Sequence, residues 1–380
     1  MKKKKICFEV AAAVAVVLVT ASAVVGSRYY IDRKMPAFGK ETVLYVYPDT
    51  QVDEVLADLK NNAEPRNSRS LDRVFRSIEN DRRAEYSTES CGAEAMTGDG
   101  STASCDAAAK PKGIAVKPGR YVVKPSYPAI YVVRMIANGW QEPFNFTLSG
   151  TIRSKERLAQ KISSQMMVDS LSVINALNDE ELLDRFGFTP ENVFAMFLPD
   201  TYQMYWTASI EEIFGRFKRE YDSFWTTQRV QQAQNQNLTP IEVSILASIV
   251  SGETNSAKEY PIIAGVYLNR LRKGMKLQAD PTVCFCFDYK LNRVLRCHLQ
   301  VDSPYNTYKY AGLPPAPINV PPKPCIEAVL NPTGHNYLYF CASSAFDGTH
   351  KFAATFTEHK KNARDFQSAL IERERAKSAS

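Results

Sequence analysis

The chain has 380 residues, 44% of them apolar and 23% charged, with a net charge of +6. That is enough apolar material for a large core, and the length suits two modules with appendages. A nucleic-acid partner is not expected, because the charge is modest and gathered at Lys2–Lys5 and at Lys360, Lys361 and Arg364, with no P-loop, dinucleotide fingerprint or aromatic-basic RNA motif beside it.

The four N-terminal lysines precede an apolar run, Ile6–Gly26, broken only by Glu9, Thr20 and Ser22. About 21 such residues suffice to cross a bilayer core. The lysines would then stay cytoplasmic and everything after the run would lie outside. The alternative is a cleaved signal peptide, since Ala21-Ser22-Ala23 resembles a small-residue cleavage site. Either way the body is extracytoplasmic.

Thr42–Tyr47 alternates with period two and predicts a strand, followed by a helix capped at Asp49-Thr50 with Val52, Val55, Leu56 and Leu59 on one face. Tyr86–Lys112 is rich in Ser, Ala, Gly and Thr without periodicity and reads as a disordered insertion. Strand then helix recurs at Gly119–Lys124 and Ala129–Ile136. Phe146–Leu148 predicts a short strand, and helices come next at Lys155–Gln165, Val168–Leu177 and Asp179–Phe186. Phe194–Tyr202 reads as a buried strand ending in a proline turn. Residues 209–234 read as one amphipathic helix with Ile213, Phe214, Phe217 and Tyr221 inward, and Gln231–Asn237 as a polar linker.

The stretch 239–282 organises the C-terminal half of the chain. Thr239, Pro240 and Glu242 are cap, first helical residue and capping-box partner. Ile241, Val243, Ile245, Leu246, Ala247, Ile249 and Val250 then cover almost every face, as in a helix at the centre of a domain. This helix delivers Glu253 to its end. An apolar neighbourhood disfavours a charged carboxylate and so raises its pKa, which suits a general acid near neutral pH. A second helix runs from Pro261 to Lys273 and stops at Gly274. The loop Leu277–Thr282, the polar cluster Ser303–Tyr308 and the rigid run Gly312–Pro317 come after it. Tyr337–Ala342 and His350–Phe352 predict two strands joined at Asp347-Gly348, and Thr357 starts a closing helix. His350 and His359, with no acid obviously near, read as structural.

Several segments carry a resemblance: SIVSGETN (248–255), IAGVYLNRLRKGMKLQADPTV (263–283), SPYNTYKYAGLPPAPI (303–318), NYLYF (336–340) and, upstream, FLPDTY (197–202). In this order they closely resemble the endolytic murein transglycosylases, the MltG/YceG-like family, over roughly residues 115–366. The family's catalytic acid maps onto Glu253. Ser251 stands where many members carry an acidic residue. The resemblance implies an α+β architecture: an N-terminal Lys run and transmembrane anchor (1–30), a LysM-like strand–helix module (40–145, with the insertion), a larger mixed α/β catalytic domain (146–368) and a charged tail (369–380). Pro118-Gly119-Arg120-Tyr121 matches an element of the LysM-like module.

The implied activity is endolytic cleavage of the MurNAc-β-1,4-GlcNAc bond of nascent peptidoglycan, leaving 1,6-anhydroMurNAc ends and ending strand elongation. Such a lyase needs one carboxylate, because the substrate's own C6 hydroxyl attacks the anomeric carbon. Gln278, Asp280, Asn306, Thr307 and Tyr308 are expected to line the substrate groove; hydrogen bonds within the loops are the alternative, above all for Asp280 and Thr307. The implied partners are glycan strands, membrane-bound peptidoglycan synthases and the inner membrane itself, with no metal and no cofactor. Two rival readings stay open: a two-carboxylate muramidase using Asp280 as the second acid, and a non-catalytic wall-binding scaffold.

Cys284, Cys286, Cys297 and His298 lack a zinc-site spacing. Outside the cytoplasm, disulfides joining Cys297 to Cys284 or Cys286, and Cys91 to Cys105, are chemically allowed, and free thiols packed as small hydrophobes are the alternative.

Overall fold

A computed structural model describes residues 2–77 and 116–378. The chain divides into two compact units: Met1–Phe144 with Tyr205–Thr207, and Asn145–Met204 with Ala208–Ser380. The sequence-predicted insertion 86–112, with Cys91 and Cys105, lies outside the described residues.

The first unit opens with the helix Lys2–Lys34, whose part Val10–Lys34 contains an 18-residue stretch of mean hydropathy 2.3 and is long and apolar enough to cross a membrane. A signal sequence meets the same criterion. Asp32, near the helix end, accepts two hydrogen bonds from Arg73, at 2.6 and 3.0 Å, which tie the helix to the small strand–helix module after it.

That module pairs Thr42–Val46 antiparallel with Gly119–Val123, setting Leu44 opposite Tyr121 and Val46 opposite Gly119. Alternation works as predicted: Leu44 and Val46 point inward, Val43 and Tyr45 outward. The helices Val52–Asn62 and 68–77 lie between the strands in sequence, and Ala129–Asn138 comes after them. Gln51, not Asp49-Thr50, caps the first of these; the Thr50 hydroxyl instead accepts from the Tyr47 amide at 2.9 Å and closes the preceding turn. Tyr121 folds back over Gly119, where a Cβ would stand 2.6 Å from its ring, and its hydroxyl donates to the Lys117 carbonyl at 2.8 Å. Only glycine leaves room for that packing.

In the second unit, the helix Pro240–Glu253 lies in the middle of the core, packed against Tyr260–Arg272 and Lys323–Leu330. The capping box is present: Thr239 accepts from the Glu242 amide at 3.3 Å and Glu242 accepts from the Thr239 amide at 2.7 Å. Every residue from Val243 to Val250 is buried, each large aliphatic contributing about 1.5–3 kcal/mol. Gly274 ends the next helix with φ +64°, as expected of a helix stop.

The strand Phe144–Leu148 pairs with Asp200–Met204, and Tyr339–Ala342 pairs antiparallel with His350–Ala353. Helices Lys155–Ser163, Ser170–Ala176 and Glu180–Asp184 match their predicted stretches with trimmed ends. Phe356–Ser378 closes the chain.

Three expectations are corrected. Phe194–Tyr202 is not one strand: Val193–Met196 is a 3-10 turn, and the strand begins only after Pro199. The aromatics there are core, with Phe197 and Tyr202 each 4.8 Å from Phe217. The helix over 209–234 is two helices, Ile210–Phe224 and Thr227–Asn235, because Trp225 turns into the core and Thr226 caps a new start. The second of these occupies most of the supposed linker and buries Ala233.

Candidate active site

Glu253 is the last residue of the central helix. The residue keeps some exposed surface, but its carboxyl lies among buried side chains. Burial pushes it up to about 7; a nearby Asp280 charge adds to the rise, while a hydrogen bond from Tyr267 and the Arg270 charge oppose it. The Tyr267 hydroxyl donates to Oε1 of Glu253 at 2.5 Å. Tyr267 comes from the neighbouring helix, is 1% exposed, and has its phenol held well above the ordinary range by burial and by Glu253. One carboxyl oxygen is thus occupied by a fixed donor.

Arg270, one turn further along that helix, is 7% exposed. Its guanidinium donates to the Leu338 carbonyl and the Leu277 carbonyl, both at 2.6 Å, and lies 5.3 Å from the Tyr339 ring centre. No carboxylate pairs with it among the described residues. It is a buried positive charge held by carbonyls, and it acts on Glu253 and Tyr308 through space.

The remaining residues expected at the site gather in two adjoining loops. Gln278 is exposed with φ +50°, and its amide donates to the Thr307 carbonyl at 3.1 Å. Asp280 is exposed, and its Oδ1 accepts from the Tyr308 hydroxyl at 2.6 Å. Burial and Asp280 push the Tyr308 phenol far up. Asn306 is fully buried: its amide nitrogen donates to the Leu299 and Val301 carbonyls at 3.0 and 2.8 Å, and its Oδ1 accepts from the Tyr308 amide at 3.0 Å. Thr307 is 2% exposed; its hydroxyl accepts from the Ala279 amide at 3.0 Å and shares a hydrogen bond with Thr282 at 2.9 Å. Asn306 and Thr307 therefore build the loops, while Gln278, Asp280 and part of Tyr308 face outward.

Asp280-Pro281, expected within the loop Leu277–Thr282, is not loop. It opens the helix Asp280–Cys286, with Pro281 in its first turn. That helix approaches the central one at Gly252, where a Cβ would stand 2.7 Å from the Pro281 Cβ and 2.8 Å from its Cγ. Ser251 donates to the Ser248 carbonyl at 2.9 Å and to Asn319 at 3.2 Å. Asn319 in turn donates to the same carbonyl at 2.8 Å, and the Ile318 amide donates to the Ser248 hydroxyl at 3.0 Å. The proline-rich run is thereby fastened along the helix that carries Glu253.

His350 does have an acid. Its amide and its Nδ1 meet the two carboxyl oxygens of Glu259 at 2.7 and 2.8 Å, and Thr254 donates to Glu259 at 3.1 Å. Burial raises the Glu259 carboxyl, but these bonds outweigh it and hold the group below its ordinary value. His359 has a buried Nδ1 with no hydrogen-bond partner among the described residues, its ring stacks on Tyr339 at 5.3 Å, and burial pushes its pKa down. Cys284, Cys286 and Cys297 are free thiols, so of the two readings the disulfide is not formed here. Among the described residues no group of three or more His, Cys, Asp or Glu side chains is placed to hold a metal ion.

Tyr267, Arg270, Gly252 and the Glu259–His350 pair were not singled out by sequence for any role beyond helix formation and termini. Their partners come from other elements, so nothing local signals them.

A carboxyl poised near neutrality can give a proton to a leaving oxygen and then recover one. A Bacillus subtilis protein named endolytic murein transglycosylase is 35% identical over 165 residues, 43% of this chain and 45% of that one. A Streptococcus pneumoniae protein of the same name is 29% identical over 173 residues, 43% of this chain and 30% of that one. The chain thus matches less than half the length of these curated relatives. The crystal structure of a YceG-like protein from Listeria monocytogenes shares the fold with a TM-score of 0.51 at 23% identity, covering 84% of this chain and 98% of the other. With the family's model matching residues 44–365, the chain belongs to the YceG-like family.

Proposed function

We propose that the chain is an endolytic murein transglycosylase with Glu253 as its single essential acid. The observation that carries this reading is the Glu253 carboxyl, raised to about 7 at the end of a buried helix and held through one oxygen by Tyr267. Glu253 protonates the glycosidic oxygen between MurNAc and GlcNAc, and the C1–O bond breaks. The resulting carboxylate takes the proton of the muramoyl C6 hydroxyl as that oxygen bonds to C1, closing the 1,6-anhydro ring. Proton and electrons balance without water. The Tyr267 bond leaves Oε2 to carry the proton. Gln278, Asp280 and Tyr308 meet sugar hydroxyls and acetamides, and Asn306 and Thr307 hold the loops that present them.

The N-terminal helix anchors the protein in the cytoplasmic membrane with its body outside. Membrane-bound peptidoglycan synthases are the partners that this placement implies. The strand–helix–helix–strand order of the first module supports a LysM-like wall-binding role. One observation favours a second reading, a muramidase: the Asp280 charge reaches Glu253, as a second carboxylate would.

Mass spectrometry of glycan strands digested by the full chain in detergent separates the readings. Internal fragments with 1,6-anhydro ends, lost in Glu253→Gln, support the lyase. Reducing ends make it a muramidase. Binding without cleavage by the wild type leaves a scaffold.

A further inference from the structure

A cleft of about 760 Å³ opens in the second unit, away from the carboxyl of Glu253, and none of the candidate groove residues lines it. Its size is that of a ligand pocket. The helix Asp280–Cys286 connects the two places. Its first residue bears the Asp280 carboxylate that acts on Glu253, and its last turn gives Phe285 and Cys286 to the cleft. Seven residues span on the order of 10 Å. The Cys284 thiol between them feels the charges of Asp280, Arg153 and Glu253.

The cleft has an aromatic wall, with Phe285 4.6 Å from Tyr305 and 6.2 Å from Tyr289 between ring centres. Over Tyr289, at 4.6 Å, lies the guanidinium of Arg153. Arg153 is exposed, and among the described residues no carboxylate forms an ion pair with it. A guanidinium stacked on a ring and without an acid is preorganised for bidentate capture of a carboxylate. Among the described residues Arg157 nearby meets a neutral partner, Gln160, at 3.4 Å, and no carboxylate.

The same cleft carries Glu156, Glu191 and Asp288. Asp288 is paired with Lys290; Glu191 and Glu156 make no ion pair among the described residues, but Lys155 of the same cleft acts on both through space. With Arg153, Lys155 and Arg157 beside these three acids, the lining is of balanced mixed charge, which suits a zwitterionic chain with carboxylates and an amine better than a polyphosphate. A murein stem peptide is such a chain.

We propose that this cleft binds the peptide stem of the murein strand, with Arg153 holding one stem carboxylate while the strand is cut at Glu253. The inference rests on the murein reading given above. It makes the enzyme selective for stem-bearing strands, and it assigns that selectivity to a surface separate from the catalytic carboxyl.

The test compares uncross-linked strands that carry stems with the same strands stripped by an amidase, using the full chain in detergent. The readout is the ratio of kcat/KM on the two substrates. The wild type favours stem-bearing strands, and Arg153→Ala lowers the ratio about tenfold, as expected for one charge-assisted contact. Arg153→Lys falls between, keeping the charge without the fork. Because the residue is exposed, its removal leaves no core void, and any general loss of folded enzyme lowers both rates and cancels in the ratio. A wild type that cuts both substrates equally, or an Arg153→Ala ratio equal to the wild type's, overturns the proposal while the murein reading stands. Failure to cut either substrate removes both.

Discussion

Replacing Tyr267 by Phe takes away the hydroxyl 2.5 Å from Glu253 Oε1 and keeps the ring, which packs edge-on against Phe340 at 5.9 Å. A hydrogen bond to an ionised carboxylate is worth roughly 1.5–3 kcal/mol net, and one to the neutral acid roughly 0.5–1.5. The difference, about 1–1.5 kcal/mol, is the preference that Tyr267 gives to the charged form, equivalent to about one pH unit. Its loss therefore pushes the carboxyl up from about 7, in the direction already favoured by burial and by Asp280. Arg270, which pushes the other way, and Tyr308, bonded to Asp280, are untouched. In the acid step Glu253 must be protonated. The alkaline limb of the rate of anhydro-end formation should accordingly move to higher pH by about one unit. The plateau rate should also fall, because nothing then fixes which oxygen faces the substrate. An unchanged limb with a lower plateau would reduce Tyr267 to packing, and a limb moved to lower pH would refute the sign of the argument.

Glu253→Gln should abolish anhydro ends and also change stability with pH. The folded carboxyl is raised from 4.5 to about 7, so stability is fully present below the unfolded value and falls as pH rises through the folded one, by about 3 kcal/mol; the variant should outlast the wild type in urea at alkaline pH and match it at acid pH, and a pH-independent difference would contradict this. Gly252→Ala sets a Cβ 2.7 Å from the Pro281 ring, which cannot swing away, so the helix carrying Asp280 must shift at a cost of about 1–3 kcal/mol; kcat should fall more than KM rises, and unaltered kinetics would show that the Pro281 contact does not position the site. His350→Ala deprives buried Glu259 of one of its donors and should cost about 1–3 kcal/mol, read as a lower urea midpoint; no change would mean that the backbone amide and Thr254 satisfy Glu259 alone.

Sequence alone discloses the features that are written locally. Thr239, Pro240 and Glu242 mark a helix start within four residues, and Gly274 marks a stop, so the elements carrying Glu253 were legible to within a residue or two. The break after Phe224 was not. Trp225 continues the apolar face of the preceding helix, and only the tertiary core decides that it turns inward while Thr226 accepts from the Arg229 amide at 3.3 Å. Asp280-Pro281 was ambiguous for a different reason: Asp before Pro suits a turn and a helix start equally. Glu253 stands out in the sequence because an acid on an apolar helix is conspicuous and the resemblance maps the family's acid onto it, whereas Tyr267, fourteen positions later on another helix, looks like any core aromatic until the two helices are packed.

The balance at Glu253 results from where the helix ends. Burial, the Asp280 charge and the negative end of the helix dipole all disfavour the carboxylate. Unopposed, they would keep the group protonated, able to act as an acid but poor at recovering a proton. Tyr267 and Arg270 return part of that preference. A surface glutamate would fail the other way, ionised before it could protonate a leaving oxygen. A reaction that uses one carboxyl first as acid and then as base needs both forms within reach at one pH. The continuous buried run Val243–Val250 lets the fold hold a group in that unfavourable place. Because the run fixes the helix, and Gly252 lets Pro281 press against its last turn, Asp280 and Tyr267 reach Glu253 from two rigid elements. The proton balance is then a property of packing, and a packing change at Gly252 that removes no polar group but displaces the helix bearing Asp280 should alter it.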